Sequence, residues 1–385
     1  MGLKITAPFM LLVFLSVLLS CTTPETSDKV TFDDANLEAA IRQALEEPSG
    51  DIHQSDLDNI TALEADQMEI GEITGLEYCT SLTSLNLRGN DIDDISPLAN
   101  LTSLRSINLM DNQLSDILSL SNLNNLTSLN LSWNEIDDVS PLLDLTRLTE
   151  ISLAGNPLND ISPLSEVTSL TSIDLSWCNI NNIPSLSELK NLTWLNLEGN
   201  QISDISALST AVNLTDLNLR SNEISDCLPL SGLRNLSSLD LSRNEIEDIS
   251  PLAEITSLTE LLLDSCHTSD ISPLAELTSL ARLNLTSNGV KDISPLSKLN
   301  GLTELSIQHN RITDISLLSN LIELKWLDLA DNQISDISPL LRNSGLSDGD
   351  EVSLMGNPLS DKSLNEYQPQ LEQRGVIIVE ILTSP

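Results

Sequence analysis

The sequence predicts an α/β solenoid, a right-handed superhelix with a parallel sheet on its concave side and short 3₁₀ turns on its convex side, capped at both ends. Three observations predict it. Met68, Asn90, Asn112, Asn134, Asn156, Cys178, Asn200, Asn222, Asn244, Cys266, Asn288, Asn310 and Asn332 stand 22 positions apart without a slip. Around each the chain repeats L-x-x-L-x-L-x-x-N-x-I, as in Leu82, Leu85, Leu87, Asn90 and Ile92. After each comes a second stretch, I-x-D-I-S-P-L in its fullest form, as in Ile92 to Leu98 and Ile246 to Leu252.

The L-x-L step has the period of a strand, so Leu85 and Leu87 point inward while Asn86 and Arg88 point outward. One repeat buries too little apolar surface to fold alone, so neighbours stack on a shared core. The recurring Asn carries an amide that donates and accepts, and a buried amide without partners is costly; the column reads as a structural hydrogen-bond ladder. Ser before Pro is an N-cap and N1 signature, and the few residues available favour a 3₁₀ turn over an α-helix.

A fixed period with this spacing is the leucine-rich-repeat signature, and the extension I-x-D-I-S-P-L resembles the internalin type of bacterial leucine-rich repeat. The match runs roughly from Ile60 to Leu359. The resemblance implies adhesion or partner recognition at a bacterial cell surface. No immunoglobulin-like domain or wall-sorting tail follows the repeats in this sequence, which speaks against host-cell adhesion.

Five segments follow: a signal peptide over 1–20, a lipidated tether over 21–30, a helical cap over 31–56, about fourteen repeats over 57–359 and a C-terminal cap over 360–385. The start holds a lone charge at Lys4 and an apolar run from Phe9 to Leu19, too short for a membrane span and of signal-peptide length. Leu18-Leu19-Ser20-Cys21 resembles the lipobox of bacterial lipoproteins, which implies that Cys21 is lipidated and becomes the first mature residue; the alternative is an ordinary secretory signal ending near Ser20. In the first cap, Asp33 can N-cap a helix with Phe32 and Leu37 at staple spacing and Leu37, Ala40, Ile41, Ala44 and Leu45 on one stripe. At the far end Asn357 lies 25 positions after Asn332. Ser360 to Arg374 read as a helix interrupted by Pro369, then Val376 to Leu382 as a strand. Both ends supply the atypical units an open solenoid needs.

The formal charge of −39, from 57 acidic and 18 basic residues, excludes nucleic acid as a partner and leaves membrane contact to the N-terminal lipid only. Asp94, Asp116, Asp138, Asp160, Asp204, Asp226, Asp248, Asp270, Asp292, Asp314 and Asp336 each fall four residues after the ladder position. A carboxylate there can accept main-chain N–H bonds. A calcium-binding column is the alternative, but one carboxylate every 4.8 Å or so is sparse for that task. Cys178 and Cys266 are four repeats apart, about 19 Å, beyond disulfide reach. With Cys79 and Cys227 they read as buried free thiols. No catalytic constellation, cofactor motif or metal site emerges: His267 and His309 are about 10 Å apart by strand spacing.

Function then rests on the outward positions, which lie six, four, two and one residues before the ladder residue. All four Trp fall there: Trp133 and Trp177 directly before it, Trp194 and Trp326 six before. Large aromatics on an open face are common binding anchors, though packing on the sheet would also explain them. Arg220 and Arg243 occupy the same face among Asp216, Glu223, Asp240 and Glu245, either as solvated ion pairs or as a pattern for a partner. The sequence thus predicts a non-enzymatic, extracytoplasmic, lipid-anchored protein whose concave face binds a protein partner through Trp133, Trp177, Trp194, Trp326, Arg220 and Arg243. The rivals are a carbohydrate or cell-wall binder and a spacer without a specific ligand.

Overall fold

The computed structural model describes residues 28–47 and 49–379. Cys21, the signal segment, most of the tether and the end of the last expected strand lie outside the described residues.

A two-stranded antiparallel ribbon, β1 (Lys29–Val30) with β2 (Ile52–His53), brackets helix α1 (Ala35–Leu45). The capping residue is Asp34, one after the expected Asp33. Its Oδ1 accepts from the N–H groups of Asn36 and Leu37 at 2.8 and 3.0 Å. Oδ2 accepts from Gly71 at 2.8 Å, and only position 34 reaches both the helix start and the first repeat. Burial pushes the Asp34 carboxyl up, but its backbone N–H donors together hold it below the usual value. Leu37, Ala40 and Ile41 are buried and Leu45 packs beside them. Ala44 is exposed, and the helix ends at left-handed Glu46.

Beyond the cap, fifteen strands of three residues run parallel and in strict chain order, from Ala62–Glu64 to Ile377–Val379. Register follows the period: Leu85 pairs with Ile107, and Leu217 with Leu239. The middle residue of each interior strand is buried and its neighbours face out. Fourteen strands each end four residues before a ladder position or Asn357, and the fifteenth closes the open core.

The ladder is built from four or five bonds per amide; the longest of Asn222, 3.3 Å, goes to the Arg220 carbonyl. Asn222 Nδ2 donates to the carbonyls of Leu197 at 2.9 Å and Leu219 at 3.1 Å, and its Oδ1 accepts from Ile202 N–H at 3.1 Å. Two of those four bonds tie the repeat to the one before it. Cys178 donates through Sγ to Leu153 O at 3.2 Å but offers no amide oxygen, and Leu158 N–H turns instead to Asn156 O at 2.9 Å.

On the convex side the links are 3₁₀ turns, such as Ser96–Leu98 and Ser250–Glu254. All eleven Asp of the column accept the N–H two residues on at 2.7–2.9 Å. Asp therefore caps the turn, and the Ser expected as the cap is the first turn residue; in several repeats its hydroxyl donates to the same carboxylate. The N–H of Ser250, then its hydroxyl, hold the Asp248 carboxyl below its usual range.

At the C-terminus, Pro369 does not break the helix. A π-turn over Ser363–Tyr367 runs directly into the helix Gln368–Gln373, so the switch in bonding pattern falls just before Pro369, whose ring lacks an N–H. No helix among the described residues is long and apolar enough to cross a membrane.

Candidate functional site

The concave face is one broad sheet whose outward side chains are free to vary without disturbing the core. The residue just before the ladder position is left-handed in repeat after repeat: φ is 58° at Trp133, 59° at Trp177, 57° at Arg243 and 53° at His309. That backbone sends its side chain across the following repeat. Trp133 lies over Gly155 and Trp177 over Gly199; a Cβ at Gly155 would stand 2.7 Å from the Trp133 ring, and one at Gly199 closer still to Trp177. The two glycines make room for the rings.

Trp133 and Trp177 remain 51% and 52% exposed, so each indole has one side on a glycine and the other open. They stand in one column two repeats apart, about 10 Å. Small polar groups lie beside them. The hydroxyls of Ser132 and Ser152 are 2.6 Å apart, and Ser176 Oγ donates to Asp174 at 2.8 Å. Trp194, between Ser172 and Asp216, is partly exposed. Trp326, between Glu304 and Glu351, is more covered, and its Nε1–H is buried without an acceptor.

Arg220 and Arg243 are brought together through one shared carboxylate, Asp264. Arg220 lies 3.8 Å from Glu198, 4.0 Å from Asp240 and 3.8 Å from Asp264, and Arg243 lies 3.8 Å from Asp264. Arg220 is mostly enclosed by these acids, while the Arg243 side chain is 62% exposed. Burial pushes the Asp240 carboxyl up, against the bonds from Ser242 and the charge of Arg220.

Next to this network a cleft of about 500 Å³ opens, lined by Glu260, Arg282, Glu304, Trp326 and Asp328 among others. Of its lining, which also includes Arg220, sequence reasoning named only Trp326 and Arg220 as binding residues. The signal was present: Glu260, Arg282, Glu304, Trp326 and Glu351 follow one another down a single outward column.

Among the described residues the histidines of this face stand apart. His309 Nδ1 is 3.4 Å from Asp331, and His267 stands in another repeat. Burial pushes the thiols of Cys79, Cys227 and Cys266 up to about 12 and that of Cys178 to about 11, which keeps them protonated. Among the described residues no group of three or more His, Cys, Asp or Glu is placed to hold a metal ion.

The family described as Leucine Rich repeats (2 copies) matches residues 80–123, 124–166, 212–254 and 300–343, and a further Leucine Rich repeat matches 168–183. No curated protein sequence matches the chain. Among solved structures, an internalin, inlF, from Listeria monocytogenes is 35% identical, with a TM-score of 0.78 over 86% of this chain and 96% of its own. A leucine-rich-repeat protein of Leptospira interrogans is 22% identical, with a TM-score of 0.77 over 84% of this chain and 91% of its own. The ectodomain of the receptor kinase GASSHO1/SCHENGEN3 from Arabidopsis thaliana, in complex with CASPARIAN STRIP INTEGRITY FACTOR 2, is 19% identical, with a TM-score of 0.62 over 81% of this chain and 45% of its own. The last two share the fold.

Proposed function

This chain belongs to the internalin-like leucine-rich-repeat proteins, and from that premise we propose that it is a non-catalytic cell-envelope protein that binds a protein partner on its concave face. The observation that carries the reading is the pair of half-exposed indoles, Trp133 and Trp177, each seated on a glycine of the next repeat. Exposed aromatic area held rigid by its own backbone is what a binding anchor requires, because little side-chain entropy remains to be lost. The plant ectodomain captured with a bound factor shares this architecture.

A double change of Trp133 and Trp177 to Ala is expected to weaken binding to a partner captured from the native membrane by more than about 2 kcal/mol, the scale of central aromatic anchors. Circular dichroism should stay unchanged, and Ser250→Ala on the convex turn should leave affinity alone. Parental affinity in the double variant would sink the reading; so would its unfolding, which would make the rings structural.

A carbohydrate reading has one observation in its favour: open, flat indole faces beside the Ser132, Ser152, Asp174 and Ser176 row, groups suited to sugar hydroxyls. Retention of a defined glycan, abolished by the same double change, would select it.

The envelope assignment rests on the lipobox-like Leu18 to Cys21. Replacing Cys21 with Ser should move the protein from the detergent phase to the aqueous phase, and an unaltered protein already found in water would end the lipid proposal.

A further inference from the structure

The column Glu260, Arg282, Glu304, Trp326, Glu351 crosses five adjacent strands on the outward face, so each side chain stands about 4.8 Å from the next. Arg282 turns toward Glu260, 2.7 Å away. That pairing leaves Glu304 and Glu351, both half-buried, without a cationic partner among the described residues, one on either side of Trp326 in the column. Asp328, two residues along the same strand, adds a buried carboxylate whose oxygen accepts from Ala330 N–H at 3.0 Å. The two glutamate strand positions are about 10 Å apart with Trp326 on the strand between them. A cation within about 6 Å of the ring centroid is attracted by the ring and lies within reach of both carboxylates.

We propose that Trp326, Glu304 and Glu351 form a subsite for a lysine or arginine side chain of the protein partner. The inference rests on the partner-binding reading and gives that partner a chemistry: a basic segment running across the strands of the acidic half of the concave face. Charge complementarity selects it. A second copy of this chain, at a net charge of −39, would bring acids to acids, and an anionic glycan or nucleic acid would meet the same repulsion. The cleft beside Trp326, at about 500 Å³, admits one long side chain with its flanking backbone.

The test uses the whole protein and tetralysine, followed by calorimetry at low ionic strength. Glu304→Gln with Glu351→Gln is expected to weaken tetralysine binding about tenfold or more. A charge-matched control on the exposed turn side, Glu135→Gln with Glu247→Gln, should change it by no more than about twofold, the residue of long-range attraction. Trp326→Phe should keep most of the affinity and Trp326→Leu should lose it, with unchanged circular dichroism in the glutamine pair guarding against loss of fold. An equal effect of both glutamine pairs, or no effect of the concave pair, overturns the subsite. Trp133 and Trp177 are untouched throughout and no native partner is used, so failure here leaves their own binding test standing.

Discussion

At residue scale, the side chain most loaded with consequence is the ladder amide. Asn222 makes four hydrogen bonds while 8% exposed, and two of them cross to the preceding repeat. Changed to Ala, it strands the Ile202 N–H in the core and removes one of two donors from each of the Leu197 and Leu219 carbonyls, which keep Asn200 and Asn244, and the expected cost is about 1 to 3 kcal/mol. Asn222→Cys should be milder, since Cys178 shows that a thiol keeps one carbonyl satisfied. Thermal or urea unfolding decides it; equal melting temperatures for parent and Asn222→Ala would show that the ladder carries no stability. The inward and outward assignment of Leu85, Asn86, Trp194 and Trp326 was legible from the period of two alone. What periodicity does not contain is where a side chain goes once its backbone turns left-handed. The seat of Trp133 on Gly155 and of Trp177 on Gly199 could still have been suspected, because each Trp is followed by Gly one repeat later.

At element scale, strands and convex turns were legible because both are set by local sequence: L-x-L for the strand, D-x-S for the cap. The division of labour within the cap was not, since Ser and Asp are both good capping residues and only the bond from Asp248 to Ser250 N–H, 2.8 Å, shows which acts. Nor was the second form of the strand-end turn. After Met68, Cys178, Cys266 and Asn288 the next residue is also left-handed, at Glu69, Asn179, His267 and Gly289. In all four repeats the ladder residue's own N–H donates to the next Asn Oδ1. Three of the four lack an amide of their own, which accounts for part of the choice, but Asn288 adopts the same turn with its amide in place. The helix α1 was found and its cap missed by one residue, because Asp33 and Asp34 are equivalent until Gly71 supplies the third partner.

At the scale of the whole molecule, a solenoid holds together through nearest-neighbour interfaces, so its first opening is set by its poorest one. The repeat that begins at Cys178 is that interface. Where others read D-I-S-P-L it reads Asn182-Ile183-Pro184-Ser185-Leu186, and Pro184 has no N–H to give a cap at all. No 3₁₀ turn forms between the strands Ser172–Asp174 and Trp194–Asn196. The preceding repeat compounds the fault, because Pro157 cannot make the bond that Glu135 N–H makes to Leu114 O at 2.8 Å. The core beneath is looser: Ile161, Ile183 and Leu186 are each 6% exposed and line an apolar void of about 20 Å³. Amide exchange should therefore be faster at Ile173, Leu175 and Leu195 than at Leu239, Leu261 and Leu283, with one shared opening energy for the first group. The triple change Asn182→Asp, Pro184→Ser, Ser185→Pro restores the regular order and returns a capping bond, which should slow that exchange and raise stability by about 1 kcal/mol. Uniform protection along the array, or a triple variant that exchanges as fast as the parent at Leu175, would show that the weak interface lies elsewhere.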